Sequence, residues 1–179
     1  MLLKVTGKQN NAKHCFVCGV ENDEGLHGEF YALENGMLAG YAMAKDTHQS
    51  YPLRVHGGVL GALLDEAIGR VVQIEEPETW AVTVSLETQY RKPVPYGEKL
   101  LVVCRIVESN RVFFVGEGAV YLPDGTKAVS AKAKYMRLKL DRIADFEANH
   151  ESWLCYPKAD DPREFDVPET EHLYLERKG

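Results

Sequence analysis

His56-Gly57-Gly58 opens a proline-free amphipathic stretch that carries an aspartate, Asp65, nine positions after the histidine. A helix beginning at the glycines would present backbone N–H groups with no intrahelical acceptor, together with the positive end of its dipole, and both suit a developing oxyanion. A carboxylate about two to three turns inside that helix supplies a base or a nucleophile. These parts together suit attack on an acyl carbonyl, the chemistry of acyl transfer.

Placed at about 100° per residue from Leu60, the side chains of Leu63, Leu64, Ala67, Ile68 and Val71 fall within about 80° of that origin and form a stripe for burial. Asp65 lies off the stripe at about 140°, in a sector with Gly58, Gly61, Ala62 and Gly69, where a backbone or a thin ligand can come close. Glu66 is the rival acid. Arg70 stands four residues beyond it, the spacing of a surface ion pair, whereas Asp65 has glycine at both such offsets. Glu66 is therefore read as a solvated pair with Arg70, and Asp65 as the reactive acid. The alternative for Asp65 is a satisfied, partly buried carboxylate or an interface contact.

The elements that must hold these residues are legible in outline. Residues 26–33 and 37–43 flank Glu34-Asn35-Gly36, a hairpin-turn signal. The helix is predicted over residues 58–74, roughly 25 Å long at about 1.5 Å per residue, with a break at Glu75-Glu76-Pro77. Thereafter the apolar period falls to two. Trp80, Val82, Val84 and Leu86 alternate with smaller or polar residues; residues 100–107 form a continuous apolar run; residues 112–122 contain Gly116 and Gly118, which permit a bulge or bend. In the last strand Val129, Ala131, Ala133 and Tyr135 point inward. Such strands need a cover for their apolar face, and only one long helix is at hand. The expected fold is α+β, a curved antiparallel sheet of about six strands wrapped around one central helix.

Of the 179 residues, 45% are hydrophobic and 27% charged, enough for one sizeable core. We place a domain at 1–140 and an acidic extension at 141–179. The extension holds eleven Asp/Glu and five Lys/Arg and so carries the whole formal charge of −6. A neutral body with an acidic tail argues against nucleic acid as a partner. No apolar run of membrane-spanning length and no signal-peptide core is present, which predicts a cytoplasmic protein without a membrane partner. A short helix is expected near residues 142–150, with Trp153, Leu154 and Tyr156 docking. The four cysteines form no disulfide framework. His14-Cys15-x-x-Cys18 gives three of four zinc positions, with Cys155 or a distant histidine as the remaining candidates; a buried structural turn is the preferred reading, and no metal is expected.

His14-Cys15-x-x-Cys18-Gly19 with Gly25-Leu26, His56-Gly57-Gly58 with Asp65, and Thr83-Val84-x-Leu86 leading to Tyr90-Arg91-Lys92-Pro93 resemble the hotdog-fold acyl-CoA thioesterases of the phenylacetyl-CoA type. The resemblance covers roughly residues 14–138. It implies that Asp65 acts as nucleophile or as base toward water, that Gly57 and Gly58 present N–H groups to the thioester oxygen, and that His56 orients the turn or the carbonyl. It also implies a homodimer or homotetramer with the site at the subunit interface, in which Thr83 serves the partner's Asp65. A thioester has a good leaving group, so a base and an oxyanion site suffice, and no cofactor is expected beyond CoA as part of the substrate.

Arg91 and Lys92, where the polar strand ends, are candidates for CoA phosphates. Val59, with Leu53 and Leu60, is a candidate for the acyl pocket, and Gln49 or Ser50 for the polar residue that aligns the thioester in relatives. Two other functions are consistent with the same fold. A non-catalytic acyl-CoA binder would have little use for Asp65, and a hydratase or dehydratase would want a histidine on the helix, which residues 59–75 lack.

Overall fold

The computed structural model describes residues 1–139, 153–168 and 173–175. Its central helix, α1 (Gly57–Gly69), carries Leu60, Leu63, Leu64, Ala67 and Ile68 on its buried side, the stripe that the sequence marks out. The strands are β1 (Leu2–Lys8), β2 (Asn11–Ala12), β3 (Glu29–Leu33), β4 (Leu38–Met43), β5 (Thr79–Tyr90), β6 (Lys99–Ser109), β7 (Phe113–Tyr121), β8 (Lys127–Lys139), β9 (Trp153–Leu154) and β10 (Glu164–Asp166). Eight of them form one sheet in the order β10-β1-β3-β4-β6-β7-β8-β5, and every pairing is antiparallel. Strands β2 and β9 pair separately.

Six of the eight strands are those the periodicity locates; β1 and β10 extend the sheet at one edge. Strand β1 escapes sequence reading because its side chains alternate irregularly between buried and exposed. The hairpin between β3 and β4 turns at Gly36, whose φ of 78° needs a residue without Cβ strain. The chain before it differs from expectation. Leu26 is buried but not in a strand, since β3 begins only at Glu29.

The sheet wraps the helix closely because β7 has glycine where the helix presses in. A Cβ at Gly116 would stand 2.4 Å from Ile68 Cγ2, and one at Gly118 would stand 2.6 Å from Cys104 Sγ and 3.0 Å from Ile68 Cγ1. These glycines thus provide contact room, and the irregularity in the pairing falls on β6, between Ile106 and Glu108. The unbroken apolar run of β6 has a similar cause. Val102 and Cys104 face the helix side of the sheet, while Val103 packs in a second cluster with Tyr31, Leu33, Ala119, Tyr121, Phe165, Val167 and Leu173. Both faces of the strand are therefore covered, one by α1 and the other by the C-terminal segment, so polar alternation has no place there.

That segment is tied down by charge as well as by apolar contact. Lys8 Nζ lies 2.6 Å from Asp161 and 2.9 Å from Glu29, and the Tyr31 hydroxyl donates to Asp161 at 2.7 Å. Phe165 meets the rings of Tyr31 and Tyr41 at 5.5 and 5.0 Å. Trp153 packs on Trp80 with centroids 4.8 Å apart, whereas Leu154 stays exposed and Tyr156 is half-buried. The helix expected near 142–150 lies outside the described residues.

Two helix expectations are corrected. The α-helix ends at Gly69, and residues Arg70–Ile74 continue as a tighter 3-10 turn that still buries Val71 and Val72. The Glu66–Arg70 pair exists at 2.6 Å but is not a solvated surface pair, because the Arg70 side chain is only 4% exposed. Its guanidinium lies between the rings of Phe30 and Trp153, 4.8 and 4.7 Å from their centroids. Sequence spacing gave the partner; the burial comes from distant segments folding over it.

Candidate active site

The loop before α1 sets the start of the helix. Gln49 Oε1 accepts from Leu53 N–H at 3.1 Å, Ser50 N–H donates to Arg54 O at 2.9 Å, and His56 N–H donates to His48 O at 2.9 Å. Gln49 and Ser50 thus sit in an exposed tight loop beside the helix entry, with the Gln49 carbonyl used inside the loop. His56 is the N-cap: its Nδ1 accepts the Gly58 N–H at 2.9 Å. With Nδ1 accepting, the ring proton of neutral His56 lies on Nε2, on an exposed side chain. Gly58 N–H is consumed by that cap. Gly57 N–H, at the first helical position, has no acceptor among the described residues.

Strand β5 runs antiparallel along the same side of the helix. Near its end, the exposed Tyr90 donates its hydroxyl to Gly57 O at 2.8 Å, and a Cβ on Gly57 would meet the Tyr90 ring at 3.2 Å. Arg91 and Lys92 follow directly, their backbone N–H groups both donating to Ala128 O. They are exposed at the helix-N-terminal end of the site, with the Arg91 Nη2 also 2.9 Å from Gln89 Oε1. Val59 is half-buried and packs against the core one turn into the helix.

Asp65 lies farther along, half-buried. Thr83, on β5, donates its hydroxyl to Asp65 Oδ1 at 2.9 Å. The Tyr135 hydroxyl, from β8, lies 3.0 Å from the same Oδ1 and 2.9 Å from the Asp65 backbone oxygen, one donor shared between two acceptors. Burial, then the nearby Asp65 charge, pushes the Tyr135 phenol above its usual range, so it remains a donor at any working pH. Asp65 Oδ2 accepts no hydrogen bond among the described residues. The carboxylate is thus held in place through one oxygen and presents the other.

Three points differ from the sequence reading, the first being that Gly58 N–H, which the resemblance offered to the thioester oxygen, is taken by His56 Nδ1. The contact between Thr83 and Asp65 is made within one chain, where the resemblance implied Thr83 from a partner. The glycine sector is also partly filled, since a Cβ at Gly69 would come within 3.3 Å of the Tyr135 ring and one at Gly61 within 3.7 Å of the Tyr90 hydroxyl. Tyr135 and Tyr90 are the site residues that sequence reasoning missed as such. Alternation did place Tyr135 inward, and a tyrosine among alanines on the side facing a helix carboxylate is the signal that would have found it.

Against known proteins, the profile of the thioesterase superfamily matches residues 54–129, from the loop before α1 to the start of β8, which includes Asp65 and Thr83. Over that stretch, 76 of the 179 residues, the chain is similar to this superfamily. Its hotdog architecture is shared by solved structures, among them a thioesterase superfamily protein of 27% identity and TM-score 0.62, for which the match covers 69% of this chain and 60% of the other. A phenylacetic acid degradation-related protein of Ralstonia eutropha JMP134 is 26% identical with TM-score 0.57, covering 62% of this chain and 85% of that one. A Bacillus halodurans protein solved with CoA is 30% identical with TM-score 0.51, covering 55% of this chain and 70% of that one. The chain thus spans less than two thirds of the first of these relatives. No curated protein sequence matches it significantly. Among the described residues no helix is long and apolar enough to cross a membrane.

Proposed function

We propose that the protein hydrolyses an acyl-CoA thioester to a free acid and CoA. The observation that carries the reading is the Asp65 carboxylate, anchored at Oδ1 by two hydroxyls while Oδ2 has no hydrogen bond among the described residues. A carboxylate so held is oriented without being neutralised by a cation, as a base toward water or a nucleophile toward the carbonyl requires. Gly57 N–H is the backbone donor for the thioester oxygen, and His56 Nε2–H is a second donor beside it. Arg91 and Lys92 at the adjacent strand end serve the CoA phosphates, and Val59 borders the acyl group. The relative solved with CoA supports that substrate class.

Acid and oxyanion donor cannot meet on one helix. Eight residues separate Gly57 from Asp65, about 12 Å at about 1.5 Å per residue, whereas both must come within about 3 Å of one reacting centre. A second copy resolves this. Two antiparallel helices crossing beside Gly61, the midpoint, bring Asp65 of each protomer to Gly57 of the other in both sites at once. Strand β5 favours such an assembly, because it ends the sheet, runs for 12 residues and exposes Val84 and Tyr90. We therefore place the site between protomers of a homodimer or of a tetramer built from it.

A thiol-release assay over short, long, aryl and hydroxyaryl acyl-CoAs tests the reading. Turnover of at least one class, lost in Asp65→Asn, is the expected result; no turnover above background across the panel overturns it. Single-turnover hydrolysis in heavy-oxygen water, run with hydroxylamine trapping of an acyl–Asp65 anhydride, separates the two roles of Asp65: label in its carboxylate or a trapped hydroxamate marks nucleophilic attack, and neither marks attack by water.

A further inference from the structure

The Cys15-x-x-Cys18 segment takes no part in the proposed hydrolysis, yet it builds a second chemical cluster at the other end of the helix. Gly19 N–H closes the turn onto Cys15 O at 2.9 Å, and a Cβ at Gly19 would lie 2.2 Å from that oxygen. The turn aims the N–H groups of Val17 and Cys18 at Cys15 Sγ, each at 3.3 Å. The two sulfurs and a Glu66 carboxylate oxygen all lie within 4.8 Å of one another. Arg70 Nη2 sits 2.9 Å from Cys18 Sγ and 2.6 Å from Glu66 Oε1. Cys18 is fully buried, whereas Cys15 is half-buried and within reach of a small solute.

Two sulfurs and a carboxylate are metal donors by type. Here a buried guanidinium already rests on two of the three, and a divalent cation would have to displace it. The same cation favours thiolate character in the pair, and backbone N–H groups converging on one sulfur do so too. We propose that Cys15 and Cys18 form a reactive dithiol that reduces hydroperoxides and closes to a reversible Cys15–Cys18 disulfide.

The Cys15 thiolate attacks the outer oxygen of the hydroperoxide; an S–O bond forms, the O–O bond breaks and the alkoxide leaves, taking up a proton to become an alcohol. Cys18 then attacks the Cys15 sulfenic acid, forming the S–S bond and breaking S–O. The departing hydroxide takes the Cys18 proton and leaves as water. Two electrons pass from the sulfurs to the peroxide, and an external thiol restores the pair. Acidity fits the order of events. The hydrogen bond from Cys18 draws the Cys15 thiol down to about 7, with the Cys18 and Val17 N–H groups adding to it against burial and Glu66. Cys18, as the donor in that bond, holds its proton more tightly than a free thiol.

The test uses the full chain carrying Cys155→Ser, which removes the exposed cysteine and leaves Cys104 as a fully buried control. Hydrogen peroxide at pH 7 is expected to remove two titratable thiols together, with a bond between residues 15 and 18 located by tandem mass spectrometry and reversed by dithiothreitol. In a Cys18→Ser background the reaction stops at a sulfenic acid on Cys15, trapped by dimedone. Iodoacetamide at pH 7 labels Cys15 about tenfold faster than a thiol of ordinary acidity, near 8.5. The proposal is overturned if Cys15 reacts no faster than Cys155 in the unmodified chain, if peroxide leaves both thiols intact, or if the purified protein holds stoichiometric zinc that Cys15→Ser releases.

Discussion

Asp65 is one carboxylate whose two oxygens have different surroundings. Oδ1 is committed to the hydroxyls of Thr83 and Tyr135, and Oδ2 is left for chemistry. Removing the charge while keeping the shape should therefore affect rate far more than fold. Asp65→Asn is expected to lower kcat by roughly 100-fold or more, the contribution typical of a general base, with a thermal midpoint close to that of the parent. Tyr135→Phe removes one of two orienting donors and should cost less, about tenfold in kcat, because Thr83 still holds Oδ1. Steady-state kinetics with whichever acyl-CoA proves active, alongside thermal melts, would check both. A Tyr135→Phe rate as low as that of Asp65→Asn would mean that the phenol does more than orient the acid. The two cysteines and the Glu66–Arg70 pair beside them lie outside this chemistry, so two acids adjacent in sequence have different tasks.

Helix and sheet meet at a surface where glycine is needed for packing. Ile68 enters the space over Gly116 so closely that any Cβ there collides with its Cγ2 at 2.4 Å, and neither partner has room to retreat inside a filled core. Gly116→Ala should cost about 1–3 kcal/mol, as overpacking does, and Ile68→Ala about 2–5 kcal/mol through its cavity. The double variant should cost less than the sum, since the smaller side chain accommodates the new methyl; a double-mutant cycle by denaturant unfolding measures the difference. Additive costs would show that the glycine serves the strand's own conformation instead. This contact matters for function because Leu64 and Ile68 flank Asp65 on the same two turns of helix, so their seating on β7 fixes the rotation that points the carboxylate toward Thr83 and Tyr135.

At the scale of the molecule, the C-terminal segment is part of the body: β10 lengthens the sheet, and Phe165, Val167 and Leu173 cover its outer face. Its ionic tie is pH-dependent. Burial works to raise the Asp161 carboxyl, but the Lys158 N–H, Lys8 and the Tyr31 hydroxyl outweigh it and hold the group at about 2. An unfolded aspartate titrates near 3.9, so this stabilisation is complete above about pH 4 and is lost as pH falls toward 2. Thermal melts of the parent and of Asp161→Asn should accordingly differ at pH 7 and converge through that window. The proposed assembly gives a second expectation. If each site joins Asp65 of one protomer to the helix start of another, inactive Asp65→Asn and inactive His56→Ala proteins, unfolded together and refolded as a mixture, should form heterodimers with one intact site of two and regain activity. A mixture as inactive as its parents would refute the shared site.

Much of this was legible in the chain alone, because it depends on local periodicity. The apolar stripe on α1, the alternation of β8, and the glycine turn between β3 and β4 each follow from side-chain spacing within a short segment. So does the exclusion of Asp65 from the buried stripe. The alternation expected of β5 is instead broken by a bulge between Thr83 and Ser85, so that Ala81, Thr83 and Leu86 turn to the helix side and Val84 is exposed. What needed tertiary structure was everything set by residues far apart in sequence. The phenol that holds Asp65 comes from 70 positions away, and the rings that bury Arg70 come from Phe30 and Trp153. The sheet's edge strand pairs the first residues of the chain with residues 164–166. A sequence states which residues can turn to a common face of one element; only packing decides which elements face each other, and so which charge is solvated, which is enclosed and which is left to react.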